Sequence, residues 1–378
     1  MKFKPVKTAV IGAGMISGIY LENLKNRFSI IDLVGISDIV DAKAEARANE
    51  FGIKKMTNEE ILSDPEIELV LNLTYPSAHF EVTKSILEAG KHCYSEKMMC
   101  LSLEEARELE RISREKGVMF TVAPDTFLGA SQQTSRYLID SGIIGKPLHA
   151  NITLSRGYFM IKNDKDDAYR KYSVVREGGG IPFDMGGYYL HELFNLFGPV
   201  NKVCGFADTH DANRPYLNPN HSSFGEDFKV NTPNNISAVI EFDSGVRATM
   251  YISSEHKVTE NSFKVFGTEG ILELGDPNDF DGKITLTRQS GTCEIPLMHP
   301  FSTNSRGVGA AEMAWSLRLG RKSRLSYEMG YHALELVFAV MDSTKDMEVK
   351  KLATKFERPA PISTDYYSGE CEERSLYL

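Results

Sequence analysis

Along the first third of the chain, short apolar runs alternate with stretches whose apolar residues recur at helical spacing. Val6–Ile11 runs into Gly12-Ala13-Gly14, and Met15–Leu24 behind it is helical by pattern. Ile31–Ser37 is followed by Ala42–Phe51, Glu68–Leu73 by Ala78–Ala89, and His92–Ser95 by Leu103–Lys116, with Val118–Val122 closing the series. Gly90 and Gly117 stand where two of these helices should end, and Thr57 with Glu60 has the form of a capping box. Strands parted by helices of this length predict right-handed βαβ units, and runs apolar throughout predict strands buried on both faces. The pattern implies an α/β, doubly wound domain over residues 1–122.

After about Ala123 the texture changes. A helix over Ala130–Ser141 leads into strands joined to one another: Leu148–Leu154, Val200–Ala207, Ile236–Phe242, Ala248–Ser253, Ser262–Gly267, Gly270–Leu274 and Lys283–Thr287. Asp243-Ser244-Gly245 and Thr268-Glu269-Gly270 have hairpin-turn composition. Helices are expected over Asp184–Phe197, Val308–Leu319 and Tyr327–Ser343, and an irregular tail over Arg358–Leu378. Residues 123–378 therefore read as an α+β domain on a large, mostly antiparallel open sheet.

Composition narrows the partners. The 378 residues carry 43 Lys+Arg against 52 Asp+Glu, a formal charge of −9, which with no basic run is a poor footprint for nucleic acid. The five cysteines (Cys93, Cys100, Cys204, Cys293, Cys371) are scattered without a C-x-x-C pair, as in a reduced, cytoplasmic protein with neither a disulfide framework nor a zinc site. No apolar run reaches the roughly 18 residues of a membrane span, and Met1–Lys7 lacks the pattern of a signal peptide.

The chemistry begins at the glycine turn. Gly12-Ala13-Gly14-Met15-Ile16-Ser17 joins the first strand to the first helix, the position where a Rossmann domain binds a dinucleotide pyrophosphate. Gly12 permits the tight turn and Gly14 lets phosphate approach the backbone. Met15 and Ile16 open the helix whose N-terminal N–H groups favour an anion, and Ser17 replaces the third glycine. Asp38 follows the second strand, where an acid accepts from the adenosine ribose hydroxyls and repels a 2′-phosphate. Ile39 and Val40 come next, with no basic neighbour, so the cofactor is read as NAD.

With four further segments the chain resembles the glucose–fructose oxidoreductase/inositol dehydrogenase (Gfo/Idh/MocA) family. Thr74-Tyr75-Pro76-Ser77-Ala78-His79 is similar to its T-P-x-x-x-H segment, and Ala89-Gly90-Lys91-His92 with Ser95-Glu96-Lys97 to its A-G-K-H…E-K-P signature. Gly178–Tyr188 is similar to its G-G-G…D-x-G-x-[H/Y] segment, and Gly267-Thr268-Glu269-Gly270 matches in the second domain. The resemblance implies that Thr74, Tyr75, Pro76, His79, Glu96 and Lys97 lie along the cofactor, with Glu96 on the nicotinamide ribose. It places Lys97 also at the substrate hydroxyl, where burial and a cationic ring ease removal of a lysine proton.

Asp184, Tyr188 and His191 fall at i, i+4 and i+7, one face of a helix. The resemblance implies acid/base work at the i+4 position, commonly His and here Tyr188, as in some of the family's sugar oxidoreductases. A nearby ammonium stabilises a phenolate, so Lys97 and Tyr188 suit one another. His191 stays open as the alternative base, or as a wall of the pocket. The chain departs from the family at Met98, which replaces a proline, and at Pro124-Asp125-Thr126-Phe127, where Asp125 is expected to accept from sugar hydroxyls. The long loop Asp208–Val230 suggests a lid or an oligomer contact. His191-Glu192 is no H-E-x-x-H, Asp208, His210 and Asp211 read as a solvated loop, and Trp315 reads as core, so no metal is expected.

These residues point to an NAD-dependent oxidoreductase acting on a secondary hydroxyl of a sugar, cyclitol or glycoside. Two alternatives keep the fold: a redox-neutral enzyme that recycles tightly bound NAD, and a non-enzymatic sensor, against which Lys97, Asp184 and Tyr188 argue. Asp125, Asp184, Tyr188 and His191 present no arginine cluster for a carboxylate or phosphate, so a neutral substrate is favoured; Arg156, Arg170 and Arg176, in the loop before Gly178, argue the other way if one folds inward. A homo-oligomer through the open face of the second sheet is expected.

Overall fold

The computed structural model describes residues 3–157, 180–256 and 258–364. Its first sheet has six parallel strands: β1 (Val6–Ile11), β2 (Ile31–Ser37), β3 (Lys54–Lys55), β4 (Leu69–Asn72), β5 (His92–Ser95) and β6 (Phe120–Val122). They lie in the order β3-β2-β1-β4-β5-β6. The chain winds outward from β1 on one side and then returns to wind outward from β4 on the other. At their carboxyl ends these two neighbours therefore send their connections in opposite directions and open a crevice. Their side chains are buried on both faces, as the apolar runs require. Helices Ser17–Asn26, Asp41–Phe51, Asn58–Ser63, Pro76–Glu88 and Leu103–Lys116 fill the connections, and the Thr57/Glu60 capping box forms with both bonds in place.

The remaining strands are β7 (Pro147–Gly157), β8 (Val200–Asp208), β9 (Asn213–Pro215), β10 (Asp227–Lys229), β11 (Asn235–Phe242), β12 (Arg247–His256), β13 (Glu260–Gly267), β14 (Ile271–Leu274), β15 (Ile284–Arg288), β16 (Gly291–Ile295) and β17 (Lys350–Lys351). Nine of them form one sheet, β16-β15-β14-β13-β7-β12-β11-β8-β17. Every neighbour in it is antiparallel except β7 with β12. Ile236, Ala238, Ile240 and Phe242 of β11 face inward, towards helices Gly186–Phe197 and Tyr327–Asp346. The opposite face is more mixed than the expected apolar surface. It exposes Phe206 and Val239, but also Asn151, which donates to Thr249.

Three further expectations shift. The helix expected from Asp184 is broken at Met185 into Ile181–Asp184 and Gly186–Phe197, because Gly186-Gly187 is a weak helix start and every residue of the second piece is buried. The expected tail at Arg358 is fixed as far as it is described: Arg358 Nε donates to the Asn195 carbonyl, and the Ile362 N–H to Gln133 Oε1. Residues 365–378 lie outside the described residues, as do Arg170, Arg176, Gly178 and Gly179. The loop Asp208–Val230 holds the β9–β10 hairpin, anchored by the buried Arg214. Helix Val308–Leu319, with Trp315 buried as core, packs back onto the first sheet, where Thr121 Oγ1 donates to Met313 Sδ.

Candidate active site

Gly12 leaves β1 at φ +110°, and a Cβ there would stand 2.6 Å from the Leu73 carbonyl at the end of β4. Only glycine satisfies both the dihedral and the approach. Gly14 is the opposite case, with nothing within 4 Å of where its Cβ would be. That open space lies beside the start of helix Ser17–Asn26, where unpaired N–H groups and the helix dipole favour an anion such as a pyrophosphate. Ser17 is buried beneath it, its Oγ donating to the Gly14 carbonyl at 2.7 Å, while Met15 is exposed and Ile16 half-buried at the rim. Asp38 braces the turn: Oδ2 accepts from the Ala13 N–H and Oδ1 from the Val40 N–H, both at 2.7 Å. Each oxygen keeps a lone pair for a ribose hydroxyl.

Across the crevice, Thr74 donates through Oγ1 to Asn72 Oδ1 at 2.6 Å, Tyr75 is exposed, and Pro76 starts its helix. His79 is placed differently from the expectation. It is fully buried, with Nδ1 2.6 Å from the Met98 carbonyl and Nε2 3.0 Å from the Thr74 carbonyl, and burial lowers its proton affinity. Neither ring nitrogen is left for a cofactor, so His79 is a strut between the loops after β4 and β5.

The loop after β5 carries the reactive groups. Glu96 Oε1 accepts from Tyr20 Oη at 2.6 Å and Oε2 from the Lys97 N–H at 3.1 Å; the Lys97–Met98 peptide is cis. Lys97 Nζ donates at 2.8 Å to both Oδ1 and the main-chain carbonyl of Asp184, with the two side chains 12% and 20% exposed. The same Nζ stands 5.1 Å from the centre of the Tyr188 ring. Lys97, Asp184 and Tyr188 thus converge although the helix breaks between the last two.

His191 does not join them. It is buried, with Nδ1 2.8 Å from the Gly187 carbonyl and its ring beside Phe127 and Phe194; burial pushes it down to about 4, a neutral core histidine. Asp125 is also redirected from the expected sugar contact. It is 1% exposed, and Oδ2 accepts the N–H groups of Gly307 (2.8 Å) and Gly309 (3.0 Å) at the start of helix Val308–Leu319. Burial pushes its carboxyl up to about 6 against the pull of those two donors.

One residue at the site has no sequence signal. Arg306 is largely buried, and the nearby Tyr188, Asp125 and Tyr20 outweigh the cost of that burial and strengthen its hold on its proton. Its Nη2 donates to Asn278 Oδ1 (2.7 Å) and carbonyl (3.2 Å), Nη1 to Asn304 Oδ1 (2.9 Å), and its guanidinium lies over Phe280 at 5.9 Å. No motif surrounds Asn304-Ser305-Arg306, and only the fold brings it to Tyr188. Among the described residues, no group of three or more His, Cys, Asp and Glu is arranged to hold a metal, and no helix is long and apolar enough to cross a membrane.

Residues 6–124 match the oxidoreductase family described as an NAD-binding Rossmann fold, and residues 132–273 match the GFO/IDH/MocA C-terminal domain. The chain is 29% identical to an uncharacterised oxidoreductase of Schizosaccharomyces pombe over 53% of each chain. It is 27% identical to the scyllo-inositol 2-dehydrogenase (NAD(+)) of Bacillus subtilis, over 71% of this chain and 74% of that protein. The fold is shared with a levoglucosan dehydrogenase in complex with NADH (TM-score 0.78, 18% identity, 93% of this chain and all of that one). Two adjoining matches across both sheets, around a turn built for a dinucleotide, place the chain in the Gfo/Idh/MocA family of NAD-binding oxidoreductases.

Proposed function

We propose that the protein is an NAD-dependent dehydrogenase of a neutral carbohydrate or cyclitol, oxidising a ring secondary hydroxyl to the ketone. The observation that carries this reading is the meeting of Lys97, Asp184 and Tyr188 beside Glu96, at the carboxyl end of a parallel sheet. The named relatives, an inositol dehydrogenase and a levoglucosan dehydrogenase, act on neutral polyhydroxylated rings and support it. When bound, NAD supplies the acceptor for the hydride that leaves the alcohol carbon.

The chain's own residues do the rest. Gly12, Gly14, Met15 and Ile16 hold the pyrophosphate, Asp38 the adenosine ribose, Glu96 the second ribose, and Thr74, Tyr75 and Pro76 flank the crevice. Lys97, held by Asp184, donates to the substrate hydroxyl oxygen, and Tyr188 in its phenolate form takes the hydroxyl proton as the hydride leaves the carbon for NAD. Arg306, which sequence reasoning omitted, brings a positive charge near this side of the site, with three of its five donors taken up by Asn278 and Asn304. In this reading residues 1–122 carry the cofactor, residues 123–378 the substrate side and the contact between copies, and the enzyme works in the cytoplasm.

The test is NADH formation against a panel of aldoses, inositols, anhydrosugars, glycosides, uronic acids and sugar phosphates. Neutral rings should give the highest kcat/KM. A clear preference for a charged substrate would overturn the pocket assignment, and cofactor that stays bound with no net NADH release would favour the redox-neutral alternative.

A further inference from the structure

The carboxylate of Glu96 is held from two directions. Oε2 accepts from the N–H of Lys97, the next residue in its own loop. Oε1 accepts from Tyr20 Oη at 2.6 Å, and Tyr20 stands on helix Ser17–Asn26, 76 residues earlier in the chain. A bond from the adjoining residue turns with the loop, whereas a bond from a separate helix fixes where the carboxylate lies in the crevice. Each oxygen keeps a lone pair beyond these bonds.

Tyr20 is itself fixed on several sides. It is 1% exposed, and its ring centre lies 6.0 Å from that of Tyr94. Its Cδ1 would stand 3.6 Å from a Cβ at Gly307. Its Oη lies 3.2 Å from the Tyr94 Oη, and because its one proton goes to Glu96, it meets Tyr94 as an acceptor. Burial strengthens the hold of both phenols on their protons, so Tyr20 stays a donor at any working pH.

The helix gives this contact its meaning. Tyr20 comes three residues after Ser17, on the same buried face of the helix that starts beside the open space at Gly14. One rigid element therefore sets the separation between the pyrophosphate end of the crevice and the Glu96 carboxylate.

We propose that Tyr20 is a positioning residue for the nicotinamide ribose: its phenol holds the Glu96 carboxylate ready for the ribose hydroxyls and ties that contact to the helix facing the pyrophosphate. This rests on Glu96 serving the second ribose, as in the proposed function. A carboxylate already aimed spares the cofactor the cost of ordering that side chain on binding.

The experiment measures binding of NAD, ADP-ribose and ADP by isothermal titration to the full chain, Tyr20→Phe, Glu96→Ala and the double variant. ADP-ribose carries the second ribose without the nicotinamide, and ADP carries neither. Tyr20→Phe, which keeps the ring and its packing, should weaken NAD and ADP-ribose about 3- to 10-fold and leave ADP within about twofold. In the Glu96→Ala background the same change should cost almost nothing more, because the carboxylate it serves is gone. Unchanged NAD binding in Tyr20→Phe beside a weakened Glu96→Ala overturns the proposal alone. An equal loss for ADP, or an equal loss in both backgrounds, also overturns it, since Tyr20 would then only support the helix. A Glu96→Ala protein that binds all three as the wild type does overturns the ribose assignment of Glu96 itself. ¹³Cζ-tyrosine NMR gives a reading that needs neither cofactor nor a change at Tyr20. Glu96→Ala should move the signal of a buried tyrosine, and a spectrum with no moved signal overturns the contact.

Discussion

Lys97 meets Asp184 twice, donating at 2.8 Å to its carboxylate and at 2.8 Å to its main-chain carbonyl. One bond neutralises the ammonium and the other fixes its height above the break at Met185. These two bonds hold the ammonium within the site, beside the Tyr188 ring.

Lys97→Ala should therefore abolish turnover while the fold and NAD binding persist. Retention of more than about a tenth of wild-type kcat would be incompatible with acid–base or hydroxyl-orienting work of the usual 10²–10⁴-fold size. NAD affinity by isothermal titration checks that the cofactor side is intact.

Tyr188→Phe should lose at least ~10²-fold in kcat, and His191→Ala much less. His191→Ala should show instead as a lower Tm, because it opens a hole between Phe127 and Phe194. If His191→Ala is the deader enzyme and Tyr188→Phe is near normal, the base has been assigned to the wrong residue.

Asp38 should make NAD bind more tightly than NADP, since a 2′-phosphate would meet a carboxylate already fixed by Ala13 and Val40. Asp38→Ala should narrow the difference while also loosening the glycine turn. Equal or tighter binding of NADP by the wild type would refute this.

Asp125 sets a pH dependence. Its carboxyl titrates near 6 in the fold against an ordinary value of 3.8, so the folded chain holds a proton that the unfolded chain releases first. Stability from this group is present below about pH 3.8 and is lost as pH rises through 6, in total on the order of 2–3 kcal/mol. Asp125→Asn should remove that slope, so its stability relative to wild type should climb between pH 4 and 7 in urea titrations. A constant difference across the range would show that the carboxyl titrates normally.

The open face of the nine-stranded sheet should pair two copies, and light scattering at micromolar concentration should give at least a dimer mass. Phe206 of β8 and Val239 of β11 are exposed apolar residues on this face, so Phe206→Glu should shift the mass to that of one chain. A wild type already of single-chain mass would dispose of the idea.

What could be read from the sequence was what short-range pattern determines. β1, the glycine turn, the Thr57/Glu60 cap and helix Leu103–Lys116 are fixed by residues within a turn or two of one another. β3 and β16 were invisible, because Lys54-Lys55 and Gly291–Ile295 are exposed edge segments ordered only by the strand beside them. The pair of glycines after Asp184 was a legible warning of the helix break. Asp125 and Arg306 were not legible in principle. An acid in a linker and an arginine before a helix reach their places only when Gly307 and Gly309 are folded against Asp125, with almost half the chain between.

The return of helix Val308–Leu319 to the first sheet also bears on how the protein is made. Tyr94 of β5 is buried against Gly309, and Thr121 of β6 bonds Met313. While the ribosome is still extending residues beyond the second sheet, that side of the cofactor-binding half remains bare. The half that begins first is completed nearly last, so its NAD site becomes fully supported only after the other half has been synthesised. Exchanging cofactor halves between relatives by cutting at Val122 would leave the same side uncovered, unless the donor's late helix is carried across with it.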